Sequence, residues 1–139
     1  MRFANTVETR APAGRIWALW TDVERWPAWD TELAAASLDG EFAPGAAGSL
    51  KPRRGPSSRF VISALEPREG YTFTTRLPLC ELNVKRFLAS EDGRTRFTHE
   101  VWFAGPLAFL FNRLLGPGYK RALPEVMENL RKIAERSGA

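Results

Sequence analysis

Over the last third of the chain, apolar residues recur in steps of three and four: Leu107, Leu110, Phe111, Leu114, Leu115, Tyr119, Leu123, Val126, Met127, Leu130, Ile133 and Ala134. This spacing marks an amphipathic helix with one buried face and predicts one within Gly105–Arg136. From Pro117 onward it would span about 30 Å, the width of a small domain. Most of the chain before it alternates as strands do. In Arg2–Arg10, Phe3, Asn5, Val7 and Thr9 face one way and Arg2, Thr6, Glu8 and Arg10 the other. Further strands are predicted at Thr31–Leu38, Ala47–Pro52, Arg59–Leu65 and Tyr71–Leu77, with turn signals such as Pro67-Arg68-Glu69-Gly70 between them. The long helix must bury its stripe against these strands, so a curved antiparallel sheet gripping a C-terminal helix is expected.

One helical patch interrupts the strands. Ala13–Thr21 places Ile16, Trp17, Leu19 and Trp20 on an apolar face, opened by Pro12. Asp22 can cap a second short helix, Val23–Trp26, with Pro27 stopping it. Trp17, Trp20, Trp26 and Trp29 thus fall close together. They are expected to plug the open end of the sheet, and the same rings can wall a pocket.

The most informative segment is Cys80–Phe103. Asp92-Gly93 reads as a two-residue hairpin turn. Counting outward pairs Leu88 with Phe97, Arg86 with His99, Val84 with Val101 and Leu82 with Phe103, all on one face. The opposite face carries Asn83, Lys85 and Phe87 against Thr98, Glu100 and Trp102. The first face is apolar and should meet the helix. It therefore sets Arg86 beside His99, the only histidine, on the inner side. A buried cation is costly unless paired or wetted, and no acid lies on that face of the hairpin. Three outcomes are open. The inner face lines a cavity holding water or a ligand, or Arg86 snorkels to solvent while His99 bonds backbone, or the register slips by one.

Composition narrows the function classes. The size suits one domain, residues 1–139, with a real core. No stretch reaches the roughly 20 apolar residues of a membrane span. The first residues lack an apolar signal core, and the single cysteine, Cys80, allows no internal disulfide, so a cytoplasmic location is expected. Cys80 reads as a small core residue, with no Cys/His/Asp motif around it. Net charge is +4, and the densest basic stretch, Lys51–Arg59, carries Pro and Gly but no interleaved aromatics. It reads as a solvated loop, and no nucleic-acid partner is expected. Neither metal-ligand spacing nor a phosphate loop is present, so no metal or cofactor is expected.

The run Ala11-Pro12-Ala13…Ile16-Trp17…Thr21-Asp22-Val23-Glu24-Arg25-Trp26-Pro27-Ala28-Trp29-Asp30 resembles the opening of the SRPBCC (START-like) superfamily, in its polyketide cyclase/dehydrase-like branch. Thr95–Val101 followed by Phe103-Ala104-Gly105-Pro106-Leu107 resembles that branch's last strand and the start of its final helix. The resemblance implies the α+β helix-grip fold: one strand, two short helices, six more strands and a long C-terminal helix. It also implies a cavity between sheet and helix. Gly116-Pro117-Gly118 departs from the pattern and should kink or interrupt the helix, leaving Phe109–Leu115 as a lid or simply a bend; Pro124 adds a second cause.

The superfamily spans carriers, enzymes and chaperone activators, so three readings stand. The first is binding or transport of a small hydrophobic or aromatic molecule by a monomer or homodimer. Its ligand-facing residues would be Arg86, His99, Asn5, Trp20, Trp29, Tyr71, Phe73, Val84, Phe97, Val101, Phe111 and Tyr119. The second is an aromatase/cyclase-like enzyme with His99 and Arg86 as catalytic groups and Tyr119 as proton donor. The third is a protein-interaction module presenting Phe87 and Trp102.

Overall fold

The computed structural model describes Arg2–Ser137. The elements are β1 (Arg2–Thr9), α1 (Ala13–Thr21), a 3-10 helix (Val23–Ala28), β2 (Leu33–Leu38), β3 (Ala47–Pro52), β4 (Ser58–Glu66), β5 (Gly70–Leu77), β6 (Cys80–Glu91), β7 (Arg94–Ala104) and α2 (Ala108–Ser137). The seven strands form one antiparallel sheet in the order β1-β7-β6-β5-β4-β3-β2, a curled half-barrel around α2. This is the expected helix-grip α+β fold.

The β6–β7 hairpin has the counted register, with Arg86 opposite His99 and Leu88 opposite Phe97. Asp92 and Gly93 both take positive φ, 51° and 75°, as a primed turn of two residues requires. Burial alternates along β7, with Thr95, Phe97, His99, Val101 and Phe103 buried. The outward aromatics are covered by cations: the Arg2 guanidinium lies 4.2 Å over Trp102 and the Lys85 ammonium 5.3 Å over Phe87.

Three local expectations are corrected. The 3-10 helix runs through Pro27 instead of ending before it. Pro27 lacks its own N–H, but the amides of Trp29 and Asp30 both reach the Trp26 carbonyl, at 3.1 and 2.8 Å, so the turn closes past it. Asp22 sits at the cap position without a side-chain cap bond; its carboxylate faces Arg25 instead, at 3.4 Å. β2 starts at Leu33, not Thr31, because Asp30 holds the chain in a turn: its Oδ1 accepts from Glu32 N at 3.1 Å and its carbonyl from Leu33 N at the same distance.

Gly116-Pro117-Gly118 does not interrupt the helix. α2 is continuous across Gly116-Pro117-Gly118 and contains both Pro117 and Pro124. Gly116 is buried against the Phe3 ring, and a Cβ there would lie 2.8 Å from Phe3 Cζ. The glycine therefore serves close approach of α2 to β1.

α2 packs on β1, β7 and β6, with Leu123, Val126, Met127, Leu130 and Ala134 buried. It leaves the concave side of β4 and β5 for α1 and the 3-10 helix to cover. Those two segments fill it with Trp20, Trp26 and Trp29, all buried to within 1% of full enclosure, against Phe60, Phe73 and Tyr71. Cys80 is a buried core residue, as expected.

Candidate ligand-binding site

The inner face of β6 and β7 meets this tryptophan plug at Arg86. Its side chain is 4% exposed, so it does not snorkel to solvent. The guanidinium carbon lies 4.6 Å from the centre of Trp26, 4.9 Å from Trp29 and 4.9 Å from Phe73. Strand alternation sends Arg86 inward, and the aromatic walls come from β5 and from the 3-10 segment. Nη1 donates to the Tyr71 hydroxyl at 2.6 Å, and that hydroxyl makes a marginal 3.5 Å bond to the Trp20 carbonyl. Burial pushes the Tyr71 phenol up, against the pull of Arg86. Arg86 Nε is buried without a hydrogen-bond partner, and so is Trp29 Nε1 in the same slot.

His99 sits beside this group at 1% exposure. Its Nε2 accepts from the Trp20 indole N–H at 3.1 Å, not from backbone. That bond places a neutral imidazole's proton on Nδ1. Burial first, and then the charge of Arg86, hold His99 well below its ordinary value of 6.5.

Asp30, on the turn after the 3-10 helix, feels the charge of Arg86 without forming an ion pair with it. Burial raises its carboxyl above the ordinary range, and Arg86 pulls it back down. Across from it stands Tyr119 of α2, whose phenol is pushed up to about 12 by burial and then by the carboxylates of Asp30 and Glu32. Tyr119 meets Phe103 edge-on, with ring centres 6.2 Å apart. Asn129 of α2 donates to the Trp29 carbonyl at 3.4 Å and so ties the helix to the plug.

The residues singled out from the sequence divide by place. Arg86, Tyr71, Trp29 and Phe73 meet in one slot, and His99, Trp20 and Phe97 adjoin it through ring contacts. Val84 and Val101 are buried on the same face, one pair along the hairpin. Asn5 is half-buried at β1, where its Nδ2 reaches Met127 Sδ at 3.3 Å. Phe111 is half-buried at the start of α2, where it packs against the edge of the core. A surface cleft of about 480 Å³ opens where β7 and α2 part, lined by Phe103, Ala108, Phe109, Asn112 and Arg113. Phe103 is two pairs along the inner row from His99. No group of three or more His, Cys, Asp or Glu suited to a metal ion occurs among the described residues. No helix among them is long and apolar enough to cross a membrane.

A family profile described as polyketide cyclase/dehydrase and lipid transport matches residues 1–135. The chain belongs to that family. No curated protein matches it in sequence. Among solved structures, the di-domain ARO/CYC StfQ from the steffimycin biosynthetic pathway superposes with a TM-score of 0.79 at 11% identity, over 99% of this chain and 52% of that one. A protein from Helicobacter pylori gives 0.77 at 8% identity, over 96% and 88% of the two chains. One from Arthrobacter aurescens gives 0.72 at 20%, over 97% and 86%. At these identities the likeness is one of fold.

In this member of the polyketide cyclase/dehydrase and lipid transport family, sequence reasoning missed Asp30 and the cleft residues Phe103 and Phe109. Asp30 closes the Trp-Pro-Ala-Trp-Asp run, so a carboxylate directly after the last tryptophan of the plug was the available signal.

Proposed function

We propose that the protein binds a small apolar or aromatic molecule carrying an acceptor oxygen, a carbonyl or a carboxylate, on the inner face of the sheet beneath α2. One observation carries this reading: two buried donors, Arg86 Nε–H and Trp29 Nε1–H, have no acceptor in the same aromatic slot. Buried donors are nearly always matched, and leaving a cation partly unmatched is costly. A ligand oxygen would satisfy both, and the surrounding rings would take its apolar body. The indoles fill the slot, so admission requires the plug or the helix to shift. The cleft at Phe103 marks the side where sheet and helix part.

Asp30 favours a second reading, a cyclase-like enzyme. A carboxyl of raised pKa beside a buried cation combines an acid/base with a group that stabilises an enolate. In that reading Asp30 and Tyr119 handle the proton, because Nε2 of His99 is already engaged by Trp20. Native mass spectrometry of gently purified protein tests the binding. An adduct of a few hundred daltons that is lost in Arg86→Met supports it. A bare chain that also takes up no added aromatic carboxylate or ketone refutes it. Turnover of a bound ketone that stops in Asp30→Asn moves the assignment to the second reading.

A further inference from the structure

α2 exposes apolar side chains where its first half leaves the sheet. Phe109 is 73% exposed and Leu114 66%, with Leu110 and Leu115 also exposed. Leu110, Leu114, Pro117 and Arg121 lie at steps of four, three and four, on the side away from buried Gly116, Leu123 and Met127. The β5–β6 turn stands beside them: Leu107 N donates to the Leu79 carbonyl at 3.0 Å. Leu79 is 69% exposed and held at a φ of 52°, a left-handed backbone that branched residues rarely adopt. That φ belongs to the second position of the two-residue Pro78-Leu79 turn closed by the Leu77–Cys80 pair, and the turn holds the side chain out in solvent.

On the β5–β6 turn the exposed Glu81 faces Arg76 across the strands, whereas the helix stretch beside it carries one sign of charge. From Gly105 to Pro124 the chain carries Arg113, Lys120 and Arg121 and no acid. All three are exposed, and none forms an ion pair among the described residues. The second half of the helix differs, since there Arg131 bonds Glu128 and Glu135. Apolar residues rimmed by unpaired cations on a helix are the composition of an interfacial segment, whose stems lie along the apolar layer while the charges meet anionic headgroups.

We propose that the first half of α2, together with the Leu79 turn, docks on the surface of an anionic lipid membrane. A second copy of the chain fits less well, because a two-fold interface would set these cations against themselves. A folded acidic protein would seat its anchors in the cleft beside Phe109, whereas Leu79, Leu110 and Leu114 stand exposed outside that cleft, as insertion into a fluid acyl layer favours. The inference does not depend on the ligand assigned to the Arg86 slot.

Vesicle flotation of the full chain tests it, with phosphatidylcholine alone and with equal parts phosphatidylcholine and phosphatidylglycerol. The expected result is flotation with the anionic vesicles, weakened by salt and at least about tenfold weaker on phosphatidylcholine alone. The exposed-site pairs Leu110→Ser/Leu114→Ser and Lys120→Gln/Arg121→Gln should each reduce it by about tenfold or more with the circular dichroism unchanged. Absence of flotation at physiological salt overturns the proposal, and so does flotation indifferent to the Leu110/Leu114 pair. A dimer in sedimentation that this pair dissolves assigns the surface to a second copy. Binding to polyglutamate without flotation assigns it to an acidic protein.

Discussion

Arg86→Met replaces a buried cation by an unbranched apolar chain that fits the slot between Trp26, Trp29 and Phe73. Burying the wild-type ion costs several kcal/mol. Stacking on rings at 4.6–4.9 Å offsets part of this, about 2 kcal/mol for a desolvated contact. The 2.6 Å bond from Nη1 to Tyr71 contributes about 1.5–3 kcal/mol. Arg86 forms no ion pair among the described residues, and Asp30 acts on it only at longer range. These terms nearly cancel, so Arg86→Met should unfold within about 2 kcal/mol of the wild type, and on the more stable side if desolvation dominates. Urea denaturation at pH 7, followed by tryptophan fluorescence and circular dichroism, measures it. A loss above about 3 kcal/mol at unchanged m would refute the reasoning, since Arg86 would then be a structural keystone and not a group kept for a ligand.

Stability should also fall on mild acidification. His99 has a depressed folded pKa, so the unfolded chain takes its proton first. The stability tied to neutral His99 is present above the unfolded value of 6.5 and is lost as pH drops from there toward the folded value. The slope approaches about 1.4 kcal/mol per pH unit at most. Asp30 works in the opposite direction, because its raised folded pKa favours the native state as pH falls. The comparison is therefore with His99→Gln, which keeps an acceptor for Trp20 and retains Asp30. Denaturation curves from pH 7.5 to pH 5.5 should converge for the two proteins, and parallel curves would rule out a buried neutral histidine (pH range on the order of one unit either side of the histidine value). Gly70→Ala should destabilise by about 2 kcal/mol or more, because the added Cβ would lie 2.6 Å from the Arg86 carbonyl and 2.8 Å from Phe87 Cβ, with no flexible group to yield. A midpoint within experimental error of wild type would contradict that packing.

The hairpin was legible because a two-residue Asp-Gly turn fixes register by counting, and a period of two then fixes the faces. That step alone brought Arg86 and His99 together on the inner side. The partners of the pair were not legible. Tyr71 reaches Arg86 across the β5–β6 pairing, which follows once both strands are drawn, but Asp30 approaches through a turn whose path depends on Trp26 and Trp29 packing on Phe60 and Phe73. Pattern places residues on faces; it does not say how far a loop folds back over them. Whether Gly116-Pro117-Gly118 interrupts the helix or only bends it was open in the sequence for a related reason. Local propensity argues for a break, whereas Phe3 on a strand more than a hundred residues earlier needs a glycine there for the helix to lie close.

The central claim is that Arg86 meets the oxygen of an apolar ligand on the inner face. Titration with 2-naphthoate, read by quenching of the buried tryptophans, tests it most directly when wild type and Arg86→Met are compared and 2-methylnaphthalene serves as the uncharged control. The account predicts at least about tenfold weaker binding of 2-naphthoate by the variant, or about 1.4 kcal/mol, with the control bound equally by both proteins. Equal affinity of the two proteins for 2-naphthoate, or no binding to either, would contradict it.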